Sequence, residues 1–457
     1  MMQRSTFLNI GQDGWYAGRR TKHNYGARKP CRRGTGSLDR GMAMRRQIFG
    51  VGACGALVAL LAACGSGASP NAAGSTNTSG PAGANTASTG TVNVLAIVDT
   101  SGPNKAYGSQ ELLGLQAAAA YYNKNGGING GHVVVTVMDD NGSPATATAD
   151  AVKALSGRPG QYAMVYPGEE GTDIAALIPI IARYKAYAIA LDDGNNGCAN
   201  VSVCPTEFSL VGSAALPEVE AAQWMKSKGY TNVGVLEEQI DFTESETPSI
   251  TSSLKSEGIT AETAGFPATA VSVTAEMSQL KSAGAQAVFA EALGPAAGYA
   301  LQARAQLGWN APVLFDIAGS SLDISKLAPA SELANGYETA PYCADPSQNI
   351  PALNLLATNS PSPLDGSIPC NLSGNGWDAM VLFHDAAAQA KSLRVSALVS
   401  ATESLSAASQ SDPNLIVYPH IAYTTTNHEN RLNTPSDFKT LPIGTISGTQ
   451  IKPLGNS

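Results

Sequence analysis

The sequence predicts an α/β protein with two lobes, each built on a parallel β-sheet with helices on both faces. Three observations predict this fold. Short apolar, β-rich runs alternate with helical segments, turns rich in Gly, Pro, Asn or Asp follow several of these runs, and the runs are too numerous for one comfortable sheet. The 457 residues are also enough for two domains of ordinary size.

The first predicted strand covers residues 91–98, and its nearly continuous apolar character is typical of a strand buried on both faces. A Gly-Pro turn follows it, and an Ala-rich segment at 111–123 with helical spacing, closed by two glycines, completes a β-turn-α unit. The same alternation predicts further strands at 133–138, 162–166 and 187–191 and helices at 145–155 and 172–184.

After a loop between Cys198 and Cys204 the alternation resumes with the same periods. It predicts strands at 233–236, 286–290 and 312–315 and helices at 249–256 and 296–306. Two sheets therefore account for these elements better than one.

Acidic residues follow most of the predicted strands. Ligands of open parallel sheets bind beyond the carboxyl ends of the strands, so these acids are expected near a ligand. Helix capping explains some of them, but two adjacent acids exceed what one cap needs. The acids are Asp99, Asp139, Asp140, Glu169, Glu170, Asp192, Asp193, Glu237, Glu238, Glu291 and Asp316.

The N-terminal region has the features of an export signal. Arg45 and Arg46 precede an apolar run at 48–60 that is too short for an ordinary membrane span, and Leu-Ala-Ala-Cys at 61–64 resembles a lipobox. We expect residues 1–63 to be leader and signal peptide, and Cys64 to carry lipid. The uncharged, Gly- and Ser-rich residues that complete the segment 64–90 predict a flexible tether. An internal helix that ends in a chance Cys is the alternative.

Charge argues against a nucleic-acid partner. Residues 1–63 hold 11 of the 28 Lys and Arg but only 2 of the 36 Asp and Glu. The rest of the chain is therefore strongly acidic, whereas phosphate contacts need clustered Lys and Arg.

Four cysteines follow Cys64, an even number in a chain expected to enter an oxidising compartment. The simplest of the three possible pairings joins Cys198 to Cys204 and Cys343 to Cys370. A metal site is the competing interpretation, but there is no C-x-x-C spacing or nearby His. We expect neither a metal nor a cofactor.

Three motifs carry a family resemblance: Thr-Ser-Gly-Pro at 100–103, Gly-Gly-Ile-Asn-Gly at 126–130 and Asp-Asp-Asn-Gly-Ser-Pro at 139–144. In this order they resemble the leucine/isoleucine/valine-binding protein family, the type I solute-binding components of ABC transporters. The similarity covers about residues 92–400. It implies two Rossmann-like lobes joined by a multi-strand hinge. Lobe 1 would comprise 92–212 plus about 340–410, and lobe 2 would comprise 213–339 plus about 411–457.

The resemblance also implies a ligand site, although this sequence departs from the family pattern there. Family members hold an amino acid with a Ser/Thr-rich loop, a small-residue loop, a Tyr and an acid. Carboxylates where hydroxyls would meet the ligand's carboxylate disfavour a simple amino acid, although backbone N–H groups before the helix at 172 can still bind an anion. We therefore predict an amino-bearing or polyhydroxylated ligand. The predicted binding residues are Ser101, Tyr107, Glu169, Glu170, Gly171, Thr172, Asp192, Asp193, Phe242, Glu291 and Asp316.

The resulting prediction is a monomeric, non-enzymatic lipoprotein on the outer face of the cytoplasmic membrane. It would pass a small polar solute to ABC permease subunits. Two Ser-x-x-Lys matches at 252–255 and 278–281 lack the companion motifs of serine acylases. The alternatives are a glycan hydrolase that uses Asp192-Asp193 with Glu169, and a receptor lipoprotein without a transporter.

Overall fold

The computed structural model describes residues 90–169, 171–192, 197–212, 215–319, 324–345, 347–362, 364, 370–405, 413–430, 432 and 434–443, apart from the side chains of Asp241, Phe242 and Ser245. The predicted leader, the Cys64 lipid site and nearly all of the tether lie outside these residues. No helix in the described ranges is long and apolar enough to cross a membrane.

The first lobe is built on a five-stranded sheet in the order β2-β1-β3-β4-β5, with every strand parallel to its neighbours. Apolar side chains on both faces of β1 are fully buried, which explains its continuous apolar sequence. The strands are β1 Thr91–Val98, β2 His132–Asp139, β3 Met164–Pro167, β4 Ala188–Ala190 and β5 Glu207–Ser209. The helices between them are α1 Lys105–Lys124, α2 Pro144–Leu155 and α3 Gly171–Tyr184.

The second lobe has a six-stranded sheet in the order β11-β10-β9-β8-β6-β7. It is parallel except for β11, which pairs antiparallel with β10. Its strands are β6 Asn232–Gln239, β7 Thr260–Pro267, β8 Ala287–Glu291, β9 Val313–Phe315, β10 Gly336–Pro341 and β11 Phe438–Pro442. Its helices are α4 Leu216–Ser227, α5 Asp241–Ser256, α6 Thr274–Ser282 and α7 Pro295–Gln306.

After β10 the chain returns to the first lobe with helices α8 Ala352–Asn359, α9 Leu372–Ala390 and α10 Val395–Ser404. Helix α9 packs closely on α1 at glycines. A Cβ on Gly114 would overlap the Ser373 carbonyl oxygen, and one on Gly376 would overlap the Glu111 carbonyl oxygen. The two helix backbones approach so closely there that neither position has room for a side chain, and only glycine fits.

Residues 413–430 also belong to the first lobe. Ile416 and Tyr423 are buried in its core, and Glu429 forms a parallel bridge with Ser209 beside β5. The chain therefore crosses back to lobe 2 after this segment and before β11. The crossing lies later than the predicted position near residue 411, because the apolar side chains of the segment are buried in the first lobe.

The predicted fold class, two α/β lobes with parallel-core sheets, is confirmed. The structure contains both disulfides, Cys198–Cys204 and Cys343–Cys370, with Cα–Cα distances of 5.2 and 5.9 Å. The first ties down the loop that precedes β5, and the second joins the segment after β10 to the start of α9.

Candidate functional site

A cleft lies between the lobes, beyond the carboxyl ends of strands from both sheets, where the fold class predicts a ligand. Its empty volume is about 760 Å³, including the part open to solvent. The first lobe lines it with Tyr107, Glu169, Leu191, Asp192, Val211, Asn371, Leu372, Asn375 and Tyr418. The second lobe lines it with Pro217, Glu218, Glu246, Asp316, Ile317, Ala318 and Phe438.

The cleft combines acids with apolar walls. Five lining residues are Asp or Glu, they come from both lobes, and no Lys, Arg or His is among the lining residues that the structure describes. Neutral hydrogen-bonding groups from two Asn and two Tyr complete the polar part. An anionic ligand would meet no basic side chain among these residues.

Glu169 is the central acid of the first lobe. It follows β3, is 6% exposed, and both its carboxyl oxygens accept the backbone N–H of Asp99, at 3.0 and 3.2 Å. Burial, reinforced by the charges of Glu111 and Asp140, raises its pKa to about 10. In the absence of a cation, Glu169 is therefore protonated at neutral pH.

Two other acids of this lobe hold loops in place. The Asp99 carboxylate accepts the backbone N–H groups of Ser101, at 3.0 Å, and Asn104, at 2.7 Å, and a third from the glycine between them. Asp139 accepts the N–H groups of Thr100 and Asn141 at 3.0 and 3.2 Å. Satisfaction of backbone donors therefore explains these two acids without a ligand.

The second lobe contributes a separate group of buried acids. Burial, followed by the charge of Asp316, raises the pKa of Glu291 well above its usual range. Burial also raises the pKa of Asp316 to about 7, and burial followed by the charge of Glu246 raises that of Glu218. Asp316 accepts the N–H groups of Ala318 and Gly319 at 3.1 and 2.8 Å, which fixes its carboxylate at the cleft wall.

The two groups of acids give the cleft a defined chemistry. Neutral carboxyl groups donate hydrogen bonds to hydroxyl or amide oxygens, and after they lose a proton the same groups attract a cation.

Four of the residues predicted from sequence line the cleft: Tyr107, Glu169, Asp192 and Asp316. Ser101, Gly171, Thr172 and Glu291 are not among the lining residues, and the exposed Ser101 hydroxyl donates instead to Asn141. Glu291 is fully buried behind Asp316. Glu170, Asp193 and the Phe242 side chain lie outside the described residues.

Sequence reasoning missed the contributions of helices and of the C-terminal segment. Glu218 lies in the first turn of α4 and Glu246 within α5. Asn371 immediately precedes α9 and Asn375 lies four residues later, a spacing that places both on one helix face. Had α9 been predicted, this Asn pair would have been the available signal. Tyr418 and Phe438 come from segments without clear periodicity.

Comparisons with known proteins agree with this architecture. Residues 91–434 match the family model described as periplasmic binding protein. No curated protein matches this chain in sequence. The family match therefore comes from the family model and not from a close relative.

Solved structures share the fold at low identity. A periplasmic binding protein type 1 from Bordetella pertussis Tohama I superposes with a TM-score of 0.65 at 17% identity, covering 77% of this chain and 96% of that one. A leucine-binding protein from Thermotoga maritima MSB8 gives 0.60 at 15% identity, covering 72% and 91%. An ABC transporter solute-binding protein from Rhodopseudomonas palustris in complex with 4-hydroxybenzoate gives 0.60 at 15%, covering 74% and 90%.

Proposed function

Because this chain belongs to the periplasmic binding protein family, we propose that it captures a small amino-bearing or polyhydroxylated solute between its lobes for an ABC importer and returns it chemically unchanged. Proteins of this family act outside the cytoplasm as ligand-binding components of transport. Carboxyl groups from both lobes line one cleft, and no Lys, Arg or His is among its described lining residues; this arrangement supports the proposal.

The cleft favours a cationic ligand over an anionic one. The relatives named above include a leucine-binding protein and a protein bound to 4-hydroxybenzoate, and both of these compounds carry a carboxylate. In this chain such a group would enter a cleft lined by Asp and Glu, and no Lys or Arg among the described lining residues would balance its charge. An amine would instead gain charge-assisted hydrogen bonds from the same carboxyl groups.

The apolar walls narrow the ligand class further. Leu191, Leu372, Ile317 and Phe438 offer hydrocarbon and aromatic surface next to the acids. A ligand with a hydrocarbon body and an amino end would use both features. A polyhydroxylated ligand would use the carboxyl, Asn and Tyr groups as hydrogen-bond partners.

Hinge closure would couple binding to transport. Asp192 of the first lobe and Glu246 of the second both line the cleft, so one cationic ligand would contact carboxyl groups of both lobes. Contacts from one ligand to both lobes stabilise the closed state through its higher affinity for that state, as the general account of binding-protein closure requires. The permease would then distinguish closed from open protein.

Lipid on Cys64 and a flexible segment up to residue 90 would keep the binding domain at the outer face of the cytoplasmic membrane. Metabolic labelling with a radioactive fatty acid tests this arrangement. We expect label on the wild-type chain and none on Cys64→Ala. Label that persists on the variant would overturn the assignment of Cys64.

Ligand class is tested by calorimetric titration in EDTA with four classes of compound: alkylamines and diamines, amino sugars, polyols, and amides. Leucine, valine and 4-hydroxybenzoate serve as the carboxylate comparison. We expect a compound from these four classes to bind, and we expect Asp192→Asn to weaken its binding by about tenfold or more, equivalent to about 1.4 kcal/mol. The matched control is Glu262→Gln, an exposed carboxyl on β7. Tight binding of leucine or valine would contradict the ligand class.

Closure is tested separately by small-angle scattering with the compound that binds. We expect a smaller radius of gyration in the complex than in the free protein. An unchanged radius at saturation would contradict the closure mechanism while leaving the ligand class intact.

A further inference from the structure

Three buried carboxyl groups meet beneath the cleft in the first lobe. Asp140 follows β2, Glu169 follows β3 and Asp173 lies in the first turn of α3. One oxygen from each lies within 4.8 Å of the others. Only Glu169 also lines the cleft, so the cluster forms the floor beside the solute site.

The oxygens of this cluster are not satisfied by the protein. Asp173 is 1% exposed, and neither of its carboxyl oxygens has a hydrogen-bond partner among the described residues. Asp140 is 0% exposed; one of its oxygens accepts the N–H of Gly142 at 2.9 Å, and the other has no partner in the described part of the chain. Buried polar atoms without partners are costly, so these three oxygens point to a ligand.

Protons alone do not satisfy these oxygens. Burial raises the pKa of Asp140 to about 7 and that of Asp173 to about 6, so protons neutralise part of the charge. A protonated Asp173 would still need an acceptor for its O–H, and neither of its oxygens has a hydrogen-bond partner among the described residues. A cation at the centre would satisfy all three residues at once.

The spacing and the donor atoms select the cation. Calcium binds oxygen ligands at about 2.3–2.6 Å, so two oxygens on opposite sides of the ion lie up to about 5 Å apart. Magnesium needs about 2.0–2.1 Å and keeps several waters, and zinc prefers nitrogen and sulfur ligands. Three carboxylates, each binding through one or two oxygens, leave the remaining coordination positions of a calcium ion to water molecules from the cleft.

We propose that Asp140, Glu169 and Asp173 form a calcium site at the floor of the cleft, where the ion fixes the loop after β3 against α3. Sequence reasoning did not indicate this site, because the three ligands come from different elements and lack His or Cys. The neighbouring acids Asp99 and Asp139 are excluded as principal ligands because their oxygens already accept the backbone donors described above.

Calorimetric titration of the EDTA-treated full chain with CaCl₂, without any solute, tests the site. We expect one bound ion per chain, with an affinity that rises at least about tenfold from pH 6 to pH 8, because calcium displaces protons. Asp173→Asn and Asp140→Asn should each weaken calcium binding by about tenfold or more. The matched control Asp150→Asn, on α2 outside the cluster, should bind as the wild type does.

Thermal melting gives a second readout that separates a calcium ligand from a structural acid. In EDTA, Asp173→Asn should melt at or above the wild-type temperature because it removes an unpaired buried carboxyl. At about 100 times the dissociation constant, calcium should raise the folded-to-unfolded ratio of the wild type about 100-fold and reverse this order. A variant that does not fold leaves Asp140→Asn to decide in the same assay.

Two results would overturn the calcium site. One is the absence of heat and of a melting shift in the wild type at about 10 mM calcium, above the range of extracellular sites. The other is unchanged calcium affinity in both Asp variants, which would place the ion elsewhere. Neither result bears on solute binding, since the solute titrations are carried out in EDTA.

Discussion

Glu169→Gln should change how the stability of the protein depends on pH. Glu169 is buried and its pKa is raised to about 10, whereas an unfolded Glu titrates near its ordinary value of about 4.3. Between these two values the folded state holds a proton that the unfolded state has released. The stabilisation is therefore complete below the unfolded pKa and is lost as pH rises toward the folded pKa.

The size of the effect follows from proton linkage. One proton held only by the folded state lowers the free energy of unfolding by about 1.4 kcal/mol for each unit of pH increase. From pH 6 to pH 8 the Glu169 contribution thus falls by about 2.7 kcal/mol. The amide in the variant does not titrate, although its oxygen still accepts the Asp99 N–H, so the variant should lose that much less stability over the same interval.

Urea unfolding of both proteins at pH 6, 7 and 8 in EDTA measures the difference. Asp140, Asp173 and Asp316 also have raised pKa values, so they too make the free energy of unfolding fall as pH rises, but they are present in both proteins. The control Glu262→Gln should follow the wild-type curve. Parallel curves for wild type and Glu169→Gln between pH 6 and pH 8 would show that Glu169 does not hold a proton in the folded state over this range.

Three further predictions concern packing and binding. Gly376→Ala should destabilise the protein by about 3 kcal/mol in urea unfolding, because the new methyl group would meet the Glu111 carbonyl oxygen and push α9 away from α1. A loss of less than about 1 kcal/mol in the free energy of unfolding would mean that the helices separate easily. Asp378→Ala should lower the free energy of unfolding by about 3–5 kcal/mol and weaken ligand binding, because the Asp378 carboxylate accepts the N–H groups of Ile416, Val417 and the cleft residue Tyr418, at 2.7, 2.8 and 3.2 Å. A urea unfolding midpoint close to that of the wild type would contradict this prediction. A cationic ligand should bind more tightly as pH rises from 6 to 8, with an affinity gain of about tenfold per pH unit for each proton that it displaces from acids such as Glu169 and Asp316. Calorimetry in two buffers of different ionisation enthalpy should detect the released protons, and equal affinities at both pH values would show that these acids do not face the ligand.

The regular elements were the most predictable part of the fold. The strand at 91–98 was predicted with the bounds that the structure has, since an unbroken apolar run followed by a Gly-Pro turn has few other solutions. Strands β5, β7, β10 and β11 and helices α4 and α8 to α10 were not predicted. Strand β7 is largely exposed and β5 has only three residues, so neither shows a buried-strand pattern.

The candidate site was predictable only where it follows strands. Glu169, Asp192 and Asp316 follow predicted strands, and Tyr107 lies near the motif at 100–103, so sequence reasoning included them. Glu218, Glu246 and Asn375 reach the cleft from helices, where an acid or amide is usually exposed to solvent. Their burial depends on how the lobes pack, and no local pattern encodes that packing.

The α/β class, the two sheets, the family resemblance that the family model confirms and the acidic character of the binding domain could all be inferred from the residues alone, because apolar periodicity, turn residues and charge are local properties. The folded arrangement was needed to show which acids share a cleft, which hold loops, and which three meet at the floor of the cleft with unsatisfied oxygens. The reason is physical. The pKa and the partners of a carboxyl group depend on desolvation and on charges contributed by segments that are distant in the chain, and these come together only when the lobes have folded.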